Sequence, residues 1–404
     1  MILAGQILAV LGLSYLGLEL LLYWMILLAA RRYAIEMPEA AAPTLRFIVL
    51  AACRDGAECL PGLAKTVADQ DYPAELRRLY VVADNCADRS ADIARGLGMG
   101  VYERNDRQRA GKGNALNDVL RNRLMRETFD VLLVLDVDAR LDPHFLTRAA
   151  RYFAAPGPCA VSGATFAKNP TESMFTYVGT IIQALLRLHQ RGRAALGRDA
   201  ALYGSHGYAM NRQALERLGW HTTTGQIAED MELRLRCTLR GIPVRYAPDL
   251  AVYNDVTANA AEVHQQRRRW NSTYLPLIPQ YAGRLLRRWF AGDAAAFDAL
   301  FGLLLLPSWA NLFLYLTLAV VGFAWLGHAN AAFRGYAAAA LALWVLDVAY
   351  FLVAFRMLGL ALGWRELRGF IAHLSIRGAA LLESPFFAHV KIWPPASHGA
   401  DRVD

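Results

Sequence analysis

Hydrophobic positions dominate both ends of this chain, whereas the middle mixes hydrophobic and polar positions. Residues 1–30 and about 300–362 are almost free of charged side chains, while residues 44–270 have the composition of an ordinary α/β domain. At 404 residues the chain is long enough for about two structural units. The pattern predicts a globular domain between membrane segments.

The first apolar stretch contains one charged residue, Glu19. As a helix it exceeds the ~30 Å hydrocarbon layer of a bilayer, which predicts a transmembrane anchor over residues 1–32. A secretory signal peptide is the alternative. It is disfavoured because the stretch lacks a basic start and is longer than the apolar region of such peptides.

Two later apolar stretches, residues 302–325 and 335–355, are also long enough to cross a bilayer. We expect transmembrane helices over residues 298–327 and 335–362. Arginines follow the first span, precede the second and follow the third. Because cytoplasmic loops retain positive charge, we expect an inner or plasma membrane protein with its N-terminus outside and its central domain and tail in the cytoplasm.

Two basic, aromatic stretches are too short or too charged to span a bilayer. They lie in residues 273–295, which include PQYAGRLLRRWF, and in the tail, residues 363–404. Such stretches suit helices that lie in the membrane interface. An ordinary surface helix is an equal alternative for the tail.

The net charge and the cysteine content limit which partners and which kinds of site we expect. The net charge of +8 comes from arginines near the apolar stretches, as expected beside an anionic leaflet. Nucleic-acid binding would require basic residues interleaved with aromatic ones on the central domain, so we expect no nucleic-acid partner. The five cysteines form no CxxC pair and fit a reduced cytosolic domain without a disulfide framework or zinc site.

The central residues 44–272 alternate apolar strands with helical stretches, which predicts an α/β fold with a mostly parallel sheet. The predicted strands are residues 45–53, 78–85, 99–104, 131–139 and 159–167. Ligands of open α/β sheets bind beyond the carboxyl ends of the strands. Four polar residues follow such ends and are expected at a binding edge: Asp84, Asn85, Asp136 and Asp138.

Asp136 and Asp138 follow five consecutive apolar residues, so they end a buried strand. Residues two apart on a strand share a face, which lets both carboxylates serve one site. Mg²⁺ and Mn²⁺ combine such carboxylates with substrate phosphates. The pair predicts a divalent metal site, with a solvated strand end or a helix cap as the alternative.

A basic glycine loop, RAGKGN at residues 109–114, contains Lys112 and opens a helical stretch. A helix start of this kind can face phosphate. It is not a Walker loop, because Asp106 stands where the first glycine is required. A helix start with a solvated lysine is the alternative.

Glu229 and Asp230 begin another helical stretch. The helix dipole favours carboxylates there, so capping alone explains the pair. One of them can also accept the proton of an attacking sugar hydroxyl as a general base, and the two roles are compatible.

Gln266 and Arg269 share a helix face, and Trp270 lies beside them. Arginine can neutralise a pyrophosphate, and an aromatic ring can stack on a sugar. A basic juxtamembrane helix is the alternative.

In order and spacing, these motifs resemble the membrane-bound family 2 glycosyltransferases, a group that includes the synthases of cellulose, hyaluronan, chitin oligosaccharides and poly-N-acetylglucosamine. The resemblance covers about residues 45–272. It rests on VVADNCADRSADIA (81–94), RAGKGNAL (109–116), LDVDA (135–139), ALYGSHGYAM (201–210), AEDMEL (228–233) and QRRRW (266–270). It implies a GT-A fold and an inverting single displacement from a nucleotide-diphosphate sugar, with UDP as the expected nucleotide.

The resemblance also implies roles for the donor side. Asp84, with Asn85 beside it, would contact the nucleobase, and Lys112 would lie near the nucleotide. Asp136 and Asp138 would serve the diphosphate and a Mg²⁺ or Mn²⁺ cofactor, with Asp138 as the direct ligand.

For the reaction and the acceptor, Asp230 matches the catalytic base, with Glu229 next to it. Arg269 would lie near the pyrophosphate. The acceptor site would be lined by Gly204, Ser205, Gln266 and Trp270. Ala228 departs from the family by replacing the threonine of its Thr-Glu-Asp motif.

We therefore expect a metal-dependent hexosyl- or N-acetylhexosaminyltransferase acting on a polysaccharide or lipid-linked acceptor, in exopolysaccharide synthesis. The QxxRW motif favours repeated addition, whereas the few spans favour one or a few additions, so a non-processive glycolipid transferase is the alternative. A catalytically silent membrane scaffold is a remoter one, because the acidic positions are retained. Other export or synthase subunits stay open as partners.

Overall fold

The chain was analysed as a computed structural model that describes residues 2–34, 44–202, 207–224, 228–304, 308–322, 324, 331–361 and 363–387. Its centre is a mixed sheet of eight strands. The strands are β1 (Phe47–Cys53), β2 (Arg77–Asp84), β3 (Gly100–Arg104), β4 (Val131–Asp136), β5 (Arg140–Leu141), β6 (Ala160–Ala167), β7 (Tyr208–Asn211) and β8 (Val244–Asn254). Their order is β3-β2-β1-β4-β7-β6-β8-β5.

The first half of the sheet is parallel and buried on both faces. Strands β1 and β4 are almost wholly apolar, which suits a strand covered by helices on each side. One face is covered by α2 (Leu60–Ala68), α3 (Ser90–Gly96) and α5 (Phe145–Tyr152). The other is covered by α4 (Lys112–Asn122), α7 (Arg212–Leu218) and α8 (Glu229–Leu239). This arrangement brings the carboxyl ends of β1, β2 and β4 to one edge.

The second half of the sheet departs from the predicted parallel pattern. Strand β7 runs antiparallel to β4 and β6, and β5 runs antiparallel to β8. The five predicted strands are confirmed as β1, β2, β3, β4 and β6, whereas the two-residue β5 and the strands β7 and β8 were missed. Strand β7 has four residues, and β8 contains Pro248 opposite a register shift between Ser162 and Ala164. Neither gives the uninterrupted alternation from which strands are predicted.

The remaining helices lie outside the sheet and its covering layers. They are α1 (Ile2–Ala30), α6 (Met174–Ala195), α9 (Ala260–Tyr274), α10 (Leu277–Phe290), α11 (Ala294–Leu304), α12 (Ser308–Val321), α13 (Ala331–Met357) and α14 (Trp364–Phe387). Two segments, Ala9–Ala30 in α1 and Phe333–Met357 in α13, are long and apolar enough to cross a bilayer. In each, 28% of the most apolar window is buried, and the rest is partly buried or exposed. The predicted span at residues 302–325 falls partly on α11 and α12, and residues 305–307 lie outside the described part.

Helix α6 connects the apolar helices to the sheet. Leu188 of α6 packs in one cluster with Leu27 of α1 and with Tyr350 and Ala354 of α13. The closest approach is at Gly192, where an added Cβ would collide with the carbonyl oxygen of Ile26. The backbones of α1 and α6 are therefore in direct contact, and Gly192 is required by packing.

We predict that Gly192→Ala destabilises the chain by about 1–3 kcal/mol, because the methyl group forces α1 away from α6. Gly378→Ala in α14 is the matched control. Nothing lies within 4 Å of a Cβ added there, so it stabilises by about 0.5–1 kcal/mol through helix propensity. Unfolding of both variants in an uncharged detergent measures the difference. A Gly192→Ala variant as stable as the wild type would contradict the docking of α1.

Candidate active site

Asp84, at the carboxyl end of β2, is buried in a network of hydrogen bonds. Its Oδ1 accepts from Arg104 Nη1 at 2.6 Å and from Asn85 Nδ2 at 2.8 Å. Its Oδ2 accepts from the backbone N–H of Gly111 at 3.1 Å. Asp84 thus holds the start of α4, which begins at Lys112. Arg104 was missed by sequence reasoning, although its place at the end of the neighbouring strand, in register with Asp84, was a usable signal.

Lys112 lies between the two acidic motifs of the sequence. Its Nζ is 2.5 Å from Asp136 Oδ1 and 3.4 Å from Glu229 Oε1. Burial disfavours the charged ammonium, but the two carboxylates outweigh that effect and raise the pKa of Lys112 above its ordinary value. Lys112 is therefore a fixed positive charge that joins the end of β4 to the start of α8.

The turn after β4 exposes Asp136 and Asp138 on one side. Both are partly exposed, whereas Val137 between them is buried. The backbone carbonyl of Asp138 accepts from Lys168 Nζ at 3.0 Å, and Lys168 also pairs with Asp255 at 2.8 Å. Two carboxylates on a fixed turn beside a lysine are a donor set that suits a hard divalent cation bound to a diphosphate. The residues present thus fit Mg²⁺ or Mn²⁺.

A second acidic group, Asp55, Cys86 and Asp88, brings its potential ligand atoms within 4.8 Å of one another. Its carboxylates already accept backbone N–H groups. Asp55 accepts from Ala87 at 2.6 Å, and Asp88 accepts from Ala57 at 3.1 Å and from Ser90 at 3.0 Å. These bonds hold together the loops that follow β1 and β2. We assign this group to loop structure.

Glu229 and Asp230 form the first turn of α8, as the sequence predicts. Burial raises the pKa of Glu229 to about 7, with Lys112 opposing the shift and Asp230 adding to it. Asp230 Oδ1 accepts from the N–H of Met231 at 2.7 Å. Burial therefore makes Glu229 hold its proton more tightly than a glutamate in water does.

Glu232, one turn further along α8, is fully buried and was missed by sequence reasoning. Its carboxylate accepts from Tyr281 OH of α10 at 2.6 Å and from the N–H of Thr224 at 3.0 Å. The hydroxyl of Thr223 donates to it as well. Glu232 therefore fixes the active-site helix to α10 and to the segment that precedes α8.

Asn117 of α4 completes this frame. Its Oδ1 accepts from the N–H of Thr222 at 2.9 Å, and its Nδ2 donates to the carbonyl of Thr223 at 2.7 Å. The helix that begins at Lys112 thereby also holds the loop before α8. Helix α4, which carries Lys112, and the loop before α8, which carries Glu229 and Asp230, are therefore held to each other.

Tyr208 of β7 lies close to the cluster formed by Lys112, Glu229 and Asp230. It is fully buried, and its hydroxyl has no hydrogen-bond partner among the described residues. Burial raises its pKa, Lys112 opposes the shift, and Glu229 and Asp230 add to it. The hydroxyl is therefore within electrostatic reach of the lysine and the acids. The short strand that carries it gave no signal in the sequence.

The remaining predicted residues are not brought into this cluster by any contact that the structure describes. Gln266, Arg269 and Trp270 lie on α9, which packs along α14, and no hydrogen bond or ion pair of their side chains reaches Lys112 or the acids within the described ranges. Trp270 is 43% exposed, with the Arg267 guanidinium 4.4 Å above its ring. Gly204 and Ser205 lie outside the described residues.

The model of glycosyltransferase-like family 2 matches residues 43–273, more than half of the chain. The chain belongs to this family. The matched region contains the lysine and every acidic residue of the cluster. The family match therefore falls on the central domain, where the sequence places the site.

Curated relatives of this family 2 member include glycolipid and polysaccharide enzymes. It is 27% identical over 259 residues to the beta-monoglucosyldiacylglycerol synthase of Synechocystis sp., which covers 60% of this chain and 53% of that protein. It is 28% identical over 192 residues to glucomannan 4-beta-mannosyltransferase 7 of Arabidopsis thaliana, which covers 46% of this chain and 34% of that protein. The chain thus spans about half or less of the length of these relatives.

Among solved structures, the mannosyltransferase PcManGT from Pyrobaculum calidifontis, in complex with GDP-Man and Mn²⁺, has a similar fold. The TM-score is 0.56 at 21% identity, over 93% of this chain and 98% of that one. The likeness confirms the GT-A class for the sheet and its covering helices.

Two buried tyrosines provide a test of this geometry. We predict that Tyr281→Phe loses about 1.5–3 kcal/mol of stability, because the buried Glu232 loses its phenol donor. Tyr208→Phe is the matched control and changes stability by less than about 1 kcal/mol, because no described group accepts its proton. Denaturant unfolding of the two variants measures both changes in stability. Equal losses would contradict the contacts described for both residues.

Proposed function

We propose that this chain transfers a sugar from a nucleotide-diphosphate sugar to a lipid acceptor at a membrane surface, and so makes a glycolipid. The observation that carries the proposal is the 2.6 Å hydrogen bond between Tyr281 of α10 and Glu232 of the active-site helix. Beyond Tyr281, α10 exposes Phe290 at 77%. The same helix exposes three arginines, Arg284, Arg287 and Arg288. Exposed aromatic and basic side chains together suit the membrane interface, next to the active site.

The relatives favour this acceptor over the polymer expected from the sequence. Beta-monoglucosyldiacylglycerol synthases from Synechocystis sp. and Nostoc sp. match 60% and 55% of this chain. The plant glucomannan mannosyltransferase matches 46% and keeps polysaccharide synthesis as the second candidate. The two spans supported by length and composition also favour few additions over continuous export.

The chemistry proposed for the site follows from the charges around Lys112. Asp230 accepts the proton of the acceptor hydroxyl as that oxygen attacks the anomeric carbon, and the nucleoside diphosphate leaves from the opposite face. Lys112 stabilises the negative charge that develops on the leaving diphosphate. Glu229, with its pKa raised to about 7 by burial, carries less negative charge near the diphosphate at neutral pH than an ordinary glutamate does.

Asp136 and Asp138 would hold Mg²⁺ or Mn²⁺, which supplies further positive charge to the diphosphate when bound. The similarly folded mannosyltransferase, which was solved with GDP-Man and Mn²⁺, is consistent with this assignment. We propose that Asp84 and Asn85 lie in the part of the site that contacts the nucleobase. We propose that Arg269 contacts the pyrophosphate and that Gln266 and Trp270 line the acceptor site. Because α9 carries all three residues, it would have to move towards Lys112 and the acids when the substrates bind.

We propose the membrane arrangement predicted from the sequence. Helices α1 and α13 and the predicted span at residues 298–327 would cross the bilayer, while α10 and α14 would lie in the interface on the side of the catalytic domain. The catalytic domain and the tail would be cytoplasmic and the N-terminus outside, as the distribution of arginines indicates.

We predict that Asp230→Asn lowers the transfer rate by at least about 100-fold, because the amide cannot accept the hydroxyl proton. UDP with Mn²⁺ should raise the melting temperature of this variant as it does that of the wild type, because the donor site is unchanged. Asp69→Asn, an exposed residue of an i,i+4 ion pair, is the control and keeps full activity. Full activity of a folded Asp230→Asn variant would exclude Asp230 as the base.

The acceptor is tested by supplying membranes that contain diacylglycerol with radiolabelled UDP- or GDP-sugars and Mn²⁺. We expect label in a small product that extracts into organic solvent, formed with one of these donors. Label in an ethanol-precipitable aqueous polymer would favour polysaccharide synthesis instead. Membranes carrying the Asp230→Asn variant provide the background.

A further inference from the structure

Cys86 differs from the other cysteines of the chain because solvent reaches its side chain. Of the five cysteines, four are buried and Cys86 is partly exposed. It lies in the loop after β2, directly after Asn85 of the proposed nucleobase side. Reagents that modify thiols are therefore expected to reach Cys86 before any other cysteine.

The side chain of Cys86 contacts Cys53, the last residue of the neighbouring strand β1. Cys86 Sγ donates to the carbonyl oxygen of Cys53 at 3.4 Å, and the two thiols also hydrogen-bond to each other. Cys53 is 1% exposed, and its Sγ would lie only 3.1 Å from a Cβ added at Gly56. The accessible thiol of Cys86 is thus in contact with a second thiol that reagents in solvent do not reach.

The two loops that follow β1 and β2 hold these thiols against each other. The carboxylate of Asp55 accepts from the N–H of Ala87 at 2.6 Å and from that of Asp88 at 3.3 Å. In return, the carboxylate of Asp88 accepts from the N–H of Ala57 at 3.1 Å. Asp55 and Asn85 have φ angles of 53° and 55°, which residues other than glycine adopt only where their surroundings impose them. The contact between the thiols is therefore built into the paired loops.

The electrostatics of the pair assign different roles to the two thiols. The hydrogen bond from Cys53 lowers the pKa of Cys86 to about 7, although burial and Asp88 oppose that shift. The same hydrogen bond and burial raise the pKa of Cys53. The thiolate is the nucleophile of disulfide exchange, and a thiol with a pKa near the ambient pH attacks fastest. Cys86 therefore suits the attack on a reagent, and Cys53 suits a second step within the protein.

We propose that Cys86 is a modification site for low-molecular-weight disulfides, and that Cys53 converts the adduct into a reversible disulfide between Cys53 and Cys86. The Cys86 thiolate, whose proton has passed to solvent, attacks one sulfur of the reagent, forms a mixed disulfide and expels a thiolate. Cys53 then attacks the Cys86 sulfur, and its proton passes to the second thiolate as that leaves. Two protein thiols are thus oxidised, and one small disulfide is reduced to two thiols. Protein disulfides that form in a reducing compartment are typically transient and redox-sensing, as this one would be.

The new bond would act on the donor site through Asn85. A disulfide bond is about 2 Å long, which is shorter than the contact between two thiols, so its formation draws the loops after β1 and β2 together. Asn85 donates to Asp84 at 2.8 Å and to the carbonyl of Asp106 at 3.2 Å, and it is bonded directly to Cys86. We therefore expect oxidation to weaken nucleotide binding. This consequence rests on the proposed function, whereas the modification itself does not.

The modification is tested by incubating the full chain in uncharged detergent with oxidised glutathione, then denaturing it, alkylating the free thiols and measuring the intact mass. We expect the five free thiols of the reduced chain to fall to three, with a linked Cys53–Cys86 peptide that dithiothreitol cleaves. Cys53→Ala should accumulate glutathione on Cys86, and Cys86→Ala should form neither product. Cys159→Ala removes a buried thiol elsewhere and should still form the bond. Five free thiols in the treated wild type, or glutathione that stays on Cys86, would overturn the proposal.

The effect on the donor site is measured on the same samples, as the rise in melting temperature caused by Mn²⁺ with UDP or GDP. We expect the oxidised wild type to lose most of this rise and dithiothreitol to restore it. Cys86→Ala should show the same rise before and after treatment with glutathione. An unchanged rise in wild type that carries the disulfide would overturn the link to the donor site. If the reduced wild type shows no rise with either nucleotide, the proposed donor site fails, while the mass measurement still decides the modification.

Discussion

The ammonium of Lys112 is the interaction on which the rest of the site depends. It contacts Asp136 at the end of β4 and Glu229 at the start of α8, two elements that are far apart in sequence. Without a cation, carboxylates from β4 and α8 would repel one another in a partly buried edge of the sheet. The lysine itself is positioned by Asp84, which holds Gly111 and is held by Arg104. The sheet edge is thus organised around the partly buried positive charge of Lys112.

The same cluster extends towards the outer helices through buried polar groups. Glu232 accepts from Tyr281, so α10 is fixed to the helix that carries Asp230. Asn117 fixes the preceding loop to the helix that carries Lys112. Because each of these groups is satisfied by a partner on another element, displacement of α10 would leave a buried carboxylate short of a donor. The position of α10 and the geometry of the acids are therefore linked.

The sequence predicted the parallel half of the fold and the acidic edge because both follow from local patterns. Apolar runs identified β1 and β4, and Lys112, Asp136, Glu229 and Asp230 stand at strand or helix ends. The partners that position them could not be predicted in the same way. Arg104, Glu232, Tyr281 and Tyr208 are read as ordinary surface or core residues until the fold shows what each one contacts. Burial of a charge is a property of tertiary packing, which a periodic pattern does not encode.

The placement of the outer helices follows from close contacts of α6, which has no catalytic residue. Gly192 lets the backbone of α1 approach it, and Gly369 of α14 leaves room for Val178 and Met174. Helix α6 also packs on β6 and β8 of the sheet. A helix held by the sheet on one side and by α1 and α14 on the other transmits the orientation of the apolar helices to the catalytic edge. If α1 spans a bilayer, the depth of α14 relative to that bilayer is set by these glycine contacts rather than by the flexibility of a linker.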